Sequence, residues 1–414
     1  MTAHGPPVRR LSQWDAQRLR DVAAEHGTPT YVLDLERVRE NAARLADAFE
    51  YEDLSYAVKA NTTRPVLETL REAGVGAECA SAGEVVRALD AGFDGRDVRY
   101  TAVNPPARDL DVVTDRAADA DLVVTVGAAD TLDRLAERGY DGRLCIRVNP
   151  GVGAGHHEKV ATGAAPQFGV PYDRAPALAA EAVERGFDLV GLHAHAGSGI
   201  SGADLAVHRD LVARMADLAR DVVADTTDLA FVNVGGGLGV PYRDDEEPLD
   251  LRAVAAATRE AFGAVDATLG VEPGRYFVAD AGVLLTRANT VKETPETTVV
   301  GVDAGMTALI RPALYDSYHE IRSLAPDAPA RESVTATVAG PICETADVLG
   351  RDRRLPAPQR DDLLAVGNAG AYGYEMASQY NSRPRPAVVA LEGTDAALAA
   401  RRERLDDLTR LERW

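Results

Sequence analysis

Two rhythms of apolar and polar positions divide the chain. From about Tyr51 to Val278, short apolar runs alternate with longer segments in which apolar residues recur at helical spacing. The runs are Leu54–Ala60, Val75–Ala80, Val98–Val103, Leu122–Val126, Leu144–Asn149, Leu189–His195, Phe231–Gly235 and Gly270–Pro273. Ala82–Ala91 and Ala203–Asp225 typify the helical segments between them. About eight strand-then-helix units over this length predict a (β/α)8 TIM barrel. A doubly wound open sheet is the alternative. The polar and glycine-rich peculiarities sit at the C-terminal ends of many different runs. A barrel uses all its strand ends for one site, whereas an open sheet uses one crevice, so the pattern favours the barrel.

After about Tyr276 the rhythm changes. Val283–Val291, Thr298–Asp303, Val334–Ala339, Leu363–Val366 and Ala387–Leu391 are Val- and Thr-rich runs without long helices between them, punctuated by Gly, Pro and Asp. This predicts a C-terminal β-sandwich or β-barrel domain, which the early run Pro29–Leu33 could join. The expected division is a barrel over residues 35–278 and a β-domain from 1–34 and 279–414. The charged tail Asp395–Arg410 reads as helical. No internal repeat beyond the barrel units and no low-complexity linker is evident.

Composition narrows the function. At 414 residues with 46% apolar positions, the chain can fill two large cores. No run approaches the ~20 apolar residues of a membrane span. Met1 to Arg10 lacks the apolar centre of a signal peptide, so a cytoplasmic protein is expected. Cys79, Cys145 and Cys343 are too few and too scattered for a disulfide or zinc framework. Each is by default a small buried hydrophobe, although a free thiol can also be catalytic. The formal net charge of −20 argues against nucleic acid and anionic membranes as partners. Acidic excess with almost no lysine fits either a protein kept soluble in high salt or an ordinary solvated acidic surface. In both cases an anionic substrate needs local arginines at its site.

The stretch Leu54–Asn61 then stands out. Lysine occurs only as Lys59, Lys159 and Lys292, while arginine supplies most of the positive charge. Lysine, unlike arginine, can give up its proton and attack a carbonyl. Lys59 is therefore either a Schiff-base candidate or a solvated strand-end lysine. Gly235-Gly236-Gly237-Leu238-Gly239 follows an apolar run and reads as an anion cradle or as a plain turn. It is neither a Walker loop nor a GxGxxG sequence opening a helix. In Gly191–Gly199, His193 and His195 face the same side of a strand. No cysteine or carboxylate cluster accompanies them as a metal set. His195 could present its ring to a flat cofactor, Ser198 could reach a phosphate, and His193 reads as a packed, hydrogen-bonded core histidine. Glu272-Pro273-Gly274-Arg275 closes the last run. Glu272 could keep a heteroaromatic nitrogen protonated and Arg275 could grip a carboxylate or phosphate, or the two form a rim ion pair. Arg147 invites the same two readings. Together, these groups describe a site for pyridoxal 5′-phosphate, with the protein supplying attachment, orientation and protonation.

The motifs YAVKAN, GLHAHAGSG, NVGGGLG, EPGR, GPICETADVL and GAYGYEMASQYNSRPRP, running in order from Lys59 to Pro386, resemble those of the fold-type III pyridoxal phosphate decarboxylases. The likeness is greatest to the diaminopimelate decarboxylase family. The resemblance implies Lys59 as the Schiff-base lysine, His195 stacked on the ring, and Glu272 on the pyridine nitrogen. It implies Ser198, Gly235, Gly236, Gly237 and Arg275 on the phosphate, with Gly274 in the same turn. Arg311 and Tyr315 would bind substrate carboxylate, with Arg275 as a second candidate for the substrate's anion, Glu344 the distal ammonium, and Tyr372 cofactor and substrate. Cys343 would be the proton donor, since thiols are mostly protonated at neutral pH. A small amino-acid substrate and a homodimer with shared active sites are also implied, because Cys343 and Glu344 reach the partner's site in the family. Three stretches depart from the usual pattern: Gly197-Ser198-Gly199, Gln167-Phe168-Gly169 and Thr307 to Ile310. Neighbouring alternatives are decarboxylases of ornithine, arginine or carboxynorspermidine. The ornithine enzymes place Asp after the cysteine, where this chain has Glu344. Non-catalytic pyridoxal-phosphate-binding regulators resemble the barrel alone. A racemase of alanine type would use a tyrosine base instead of Cys343.

Overall fold

Eight short parallel strands close on themselves. They are β1 (Asp53–Ala57), β2 (Gly76–Cys79), β3 (Val98–Tyr100), β4 (Val123–Val126), β5 (Arg143–Asn149), β6 (Asp188–His193), β7 (Phe231–Asn233) and β8 (Thr268–Val271). Each pairs with the next in parallel, and β8 returns to β1 with Gly270 opposite Asp53. Closure eliminates the open sheet and confirms the barrel. The computed structural model describes residues 5–50, 52–153, 163 and 165–413. Lys159 lies outside the described residues.

The strands read as unbroken apolar runs because both of their faces are covered. Every residue of Val123–Val126 is buried, and Cys145 packs with Val123 and Phe231 inside the barrel. The outer helices show single apolar faces. Ala82–Asp90 buries Ala82, Val85 and Ala88, and its N-terminus is capped by Ser81, whose Oγ accepts the Glu84 N–H at 3.2 Å. Arg64–Glu72 opens with Pro65 in its first turn, where the missing N–H costs nothing, and buries Val66, Leu67 and Leu70. Among the described residues, no helix is long and apolar enough to cross a membrane.

Two compact units emerge, one of Asn41–Gly239 and Leu249–Phe277 that holds the barrel, the other of Met1–Glu40, Val240–Pro248 and Val278–Trp414. The second is built on a mostly antiparallel nine-stranded sheet. Its long strand Gly282–Glu293 pairs in its first half with Thr30–Asp34 and Leu363–Val366, and in its second half with Thr298–Val302. A register shift between Ala288 and Thr290 marks the change of partner. Leu11, Trp14, Leu19, Val32, Val283, Leu285 and Val389 share its core. Arg37, fully buried, is held there by Asp280 through a fork of hydrogen bonds that lysine could not copy.

The tail differs from expectation. Asp395–Ala400 is a strand, paired antiparallel with Ala387–Glu392 across the turn at Gly393, and only Leu405–Thr409 is helical. A neighbouring strand edge and a glycine at φ +53° outweigh the helix propensity of its alanines.

Candidate active site

The C-terminal ends of the barrel strands carry the chemistry. Lys59 sits just past β1, in the single 3-10 turn Val58–Ala60. That turn is set by Tyr56 Oη donating to the Asn61 carbonyl at 3.0 Å, and by Asn61 Oδ1 accepting the Thr63 N–H at 3.1 Å. Lys59 Nζ donates to Glu78 Oε2 at 2.7 Å, and only 2% of the Glu78 side chain, near the end of β2, is exposed. A buried carboxylate thus aims the amine.

Beyond β6 the two histidines part. His193 Nε2 lies 2.9 Å from Glu272 Oε1, both side chains being 4% exposed. His195 Nδ1 accepts the Gly236 N–H at 3.2 Å. Burial pushes His195 down to about 3, against the pull of Glu272 and with help from the Lys59, Arg147 and His193 charges. The ring is therefore neutral at physiological pH, as its accepting Nδ1 requires.

The glycines after β7 allow close approach. Gly235 and Gly237 have φ of +81° and +87°. A Cβ on Gly235 would lie 2.5 Å from His195 Nδ1, on Gly236 2.1 Å from the Glu272 carbonyl oxygen, and on Gly237 2.2 Å from the Gly197 oxygen. Gly235 donates its N–H to Asn233 Oδ1 at 2.8 Å, so two of the three cradle N–H groups bond within the protein. The loops beyond β6 and β7 are stitched by the Ile200 N–H to the Gly237 oxygen at 2.8 Å.

After β8, Glu272 presents one engaged oxygen and one buried oxygen, Oε2, without a hydrogen-bond partner among the described residues. Burial alone would raise its pKa. His193, by charge and hydrogen bond, and then Lys59 and His195 outweigh burial and hold the carboxyl below its ordinary range. Gly274 brings this turn against the Lys59 turn, 3.0 Å from Ala57 Cβ to its own would-be Cβ. Arg275, 5% exposed, donates from Nη2 to Ser198 Oγ at 3.1 Å, so those two side chains converge. In β5 the buried Arg147 guanidinium lies 5.2 Å from the Phe168 ring centroid.

The other unit holds the remaining candidates. Arg311, 2% exposed, donates from Nη2 to Ser317 Oγ at 3.2 Å and lies 5.6 and 5.8 Å from the ring centroids of Tyr242 and Tyr315. Cys343 is exposed, whereas Cys79 and Cys145 are buried with their thiols pushed up, Cys145 to about 12. The Cys343 N–H donates to Asn381 Oδ1 at 3.4 Å, and Tyr380 Oη donates to Glu344 Oε1 at 2.5 Å. Tyr372 has φ +55°, a costly left-handed conformation for a bulky residue. Three participants escaped the sequence reading. Glu78 looked like an ordinary strand residue and Tyr380 like part of a longer motif. Asp347 is buried, and its carboxylate accepts the Met306 N–H at 2.6 Å and the Ile342 N–H at 2.8 Å, tying the segment before Arg311 to that before Cys343.

A phosphorylated pyridine aldehyde needs an amine, a carboxylate open toward the ring nitrogen, and room for a phosphate beside donors. Lys59, the open Oε2 of Glu272, and the converging Ser198 hydroxyl and Arg275 guanidinium as phosphate donors fit the amine, the carboxylate and the donors of that set.

Comparison with known proteins agrees. The family described as "Pyridoxal-dependent decarboxylase, pyridoxal binding domain" matches residues 35–279. The diaminopimelate decarboxylase of Methanothermobacter thermautotrophicus is 42% identical over 405 residues, covering 94% of this chain and 92% of its own. That of Escherichia coli K12 is 35% identical, covering 96% of both chains. The crystal structure of diaminopimelate decarboxylase from Helicobacter pylori complexed with L-lysine superposes with a TM-score of 0.88 at 33% identity, over 95% of this chain and 99% of that one. With a full-length likeness of this strength, the chain belongs to the diaminopimelate decarboxylase family of pyridoxal-phosphate-dependent decarboxylases.

Proposed function

We propose that this chain decarboxylates meso-2,6-diaminopimelate to L-lysine and CO2 with pyridoxal 5′-phosphate, the last step of lysine biosynthesis. The observation that carries the reading is the buried Glu272 carboxylate, one oxygen engaged and one open, in the same barrel mouth as Lys59. The cofactor, when bound, supplies an electron sink for the pair left on Cα as CO2 departs.

The protein's own groups do the rest. Lys59 contributes the attaching amine, and Glu78 keeps it oriented. Glu272 Oε2 would receive the pyridine N–H, and its ionised state would keep that nitrogen protonated. A neutral His195 can lie on a cationic ring without repulsion. Ser198 and Arg275 would hold the phosphate, and Gly235 to Gly237 with Gly274 would let it approach. Cys343 would give its thiol proton to Cα, forming a C–H bond where the C–C bond broke and leaving a thiolate to be reprotonated from solvent. Diaminopimelate differs from lysine by its second carboxylate. Arg311 and Tyr315 would hold the substrate's distal carboxylate, Glu344 its ammonium, and Tyr372 would border both cofactor and substrate. Because Cys343 and Glu344 are exposed, they suit a homodimer in which each subunit completes its partner's site.

CO2 release with pyridoxal 5′-phosphate, measured separately for meso-diaminopimelate, L-ornithine, L-arginine and L-lysine at low and molar salt, tests the function. Release from diaminopimelate alone, with lysine formed, is expected; release from ornithine or arginine would overturn the substrate assignment. Lys59→Ala should abolish the visible absorbance of bound cofactor. Cys343→Ala should keep that absorbance and lower turnover by roughly 10²-fold or more.

A further inference from the structure

We propose that His193 is a positioning residue for the carboxylate that receives the cofactor's ring nitrogen. This rests on the reading of the barrel mouth as a pyridoxal phosphate site. It assigns a role to a histidine that a sequence reading leaves in the core.

His193 ends β6, opposite Arg147 of β5 and Asn233 of β7, so its backbone is fixed on both sides. From there Nε2 reaches across to Glu272 Oε1 at 2.9 Å. The contact needs a proton on Nε2 in either charge state of the ring, because a carboxylate can only accept. Nδ1 of the same ring and Oε2 of the same carboxylate are both buried without a partner among the described residues. The pair is therefore arranged with one shared bond and one open acceptor. A buried carboxylate with neither oxygen engaged would favour its neutral form. Neutral Glu272 would offer its own proton to the pyridine nitrogen instead of accepting one, and the electron sink would be lost. The nearby Lys59 and His195 also bear on Glu272, but only His193 is seen to hydrogen-bond it among the described residues.

A merely structural histidine and a positioning one differ in what they discriminate. Apoprotein would be titrated with pyridoxal 5′-phosphate and with its 1-deaza analogue, in which the ring nitrogen is replaced by C–H. Wild type should prefer the parent cofactor by about tenfold or more, the usual worth of a charge-assisted bond. His193→Phe should bring the two affinities within about threefold by weakening the parent alone, while His193→Gln, which keeps an N–H donor, should retain most of the preference. Equal loss for both ligands, or a preference undiminished in His193→Phe, would overturn the proposal. If His193→Phe does not fold, ¹⁵N-histidine spectra of wild type decide. The His193 Nε2 resonance should move on adding the parent cofactor and stay put with the deaza analogue; identical responses would overturn it. Failure of wild type to bind the parent cofactor would instead refute the site reading.

Discussion

Gly236 is where two strand ends touch. A Cβ there would lie 2.1 Å from the Glu272 carbonyl oxygen, which is backbone and cannot swing aside. The same residue donates its N–H to His195, so the glycine sets the spacing between the ring-bearing loop and the carboxylate turn. Gly236→Ala must push those two loops apart. The expected cost is about 1–3 kcal/mol of overpacking, felt where the loops converge. Cofactor affinity, read by titrating apoprotein with pyridoxal 5′-phosphate, should fall by roughly tenfold to a hundredfold. An unchanged affinity would show that the cradle has slack the distances do not suggest.

The same close packing governs the elements behind the site. Helix Leu205–Asp225 buries a full face, and His208 on that face donates from Nε2 to Thr258 Oγ1 at 2.8 Å on helix Leu251–Phe262. The donor is settled by the hydroxyl, whose own proton goes to the Val254 carbonyl at 2.7 Å. Burial pushes His208 down from 6.5 to about 4. The unfolded chain therefore takes the proton first as pH falls, and His208 alone removes roughly 3 kcal/mol of stability between pH 6.5 and 4, in addition to what the buried His195 removes. His208→Gln should flatten that part of the stability–pH curve, measured by urea unfolding; an unchanged slope would place the acid lability elsewhere. Helices and strands of this kind were legible in the sequence because burial on one face or two imposes its own period on apolar residues. Lys59, His195 and Glu272 were legible because each breaks that period at a strand end. Val348–Pro356 was not, since Arg351, Asp352, Arg353 and Arg354 disguise a strand whose buried residues are only Leu349, Gly350 and Leu355. Nor were the carboxylates Glu78 and Asp347, whose partners Lys59, Met306 and Ile342 are assembled only by folding.

At the scale of the whole molecule the net charge of −20 is a field that the chain carries. Added salt screens such self-repulsion within a Debye length, about 8 Å at physiological ionic strength and 3 Å at 1 M. The melting temperature should therefore rise between dilute buffer and molar KCl, and a flat response would mean that local ion pairs already neutralise the surface. The proposed shared-site dimer must form against that repulsion, and it makes a sharper demand. Lys59→Ala subunits lack the amine but retain Cys343; Cys343→Ala subunits retain the amine and lack the thiol. Each homodimer should be nearly inactive. If Cys343 serves the partner's site, a mixed dimer regains one site with both groups and one with neither. Random exchange puts half of the subunits into mixed dimers, so the mixture should recover about a quarter of wild-type activity. If each chain instead completes its own site, every site in the mixture lacks one group and nothing returns. Co-refolding the two variants in equal amounts and measuring CO2 release from meso-diaminopimelate separates the two architectures, because only exchange across a subunit boundary can restore turnover from parts that are each inert.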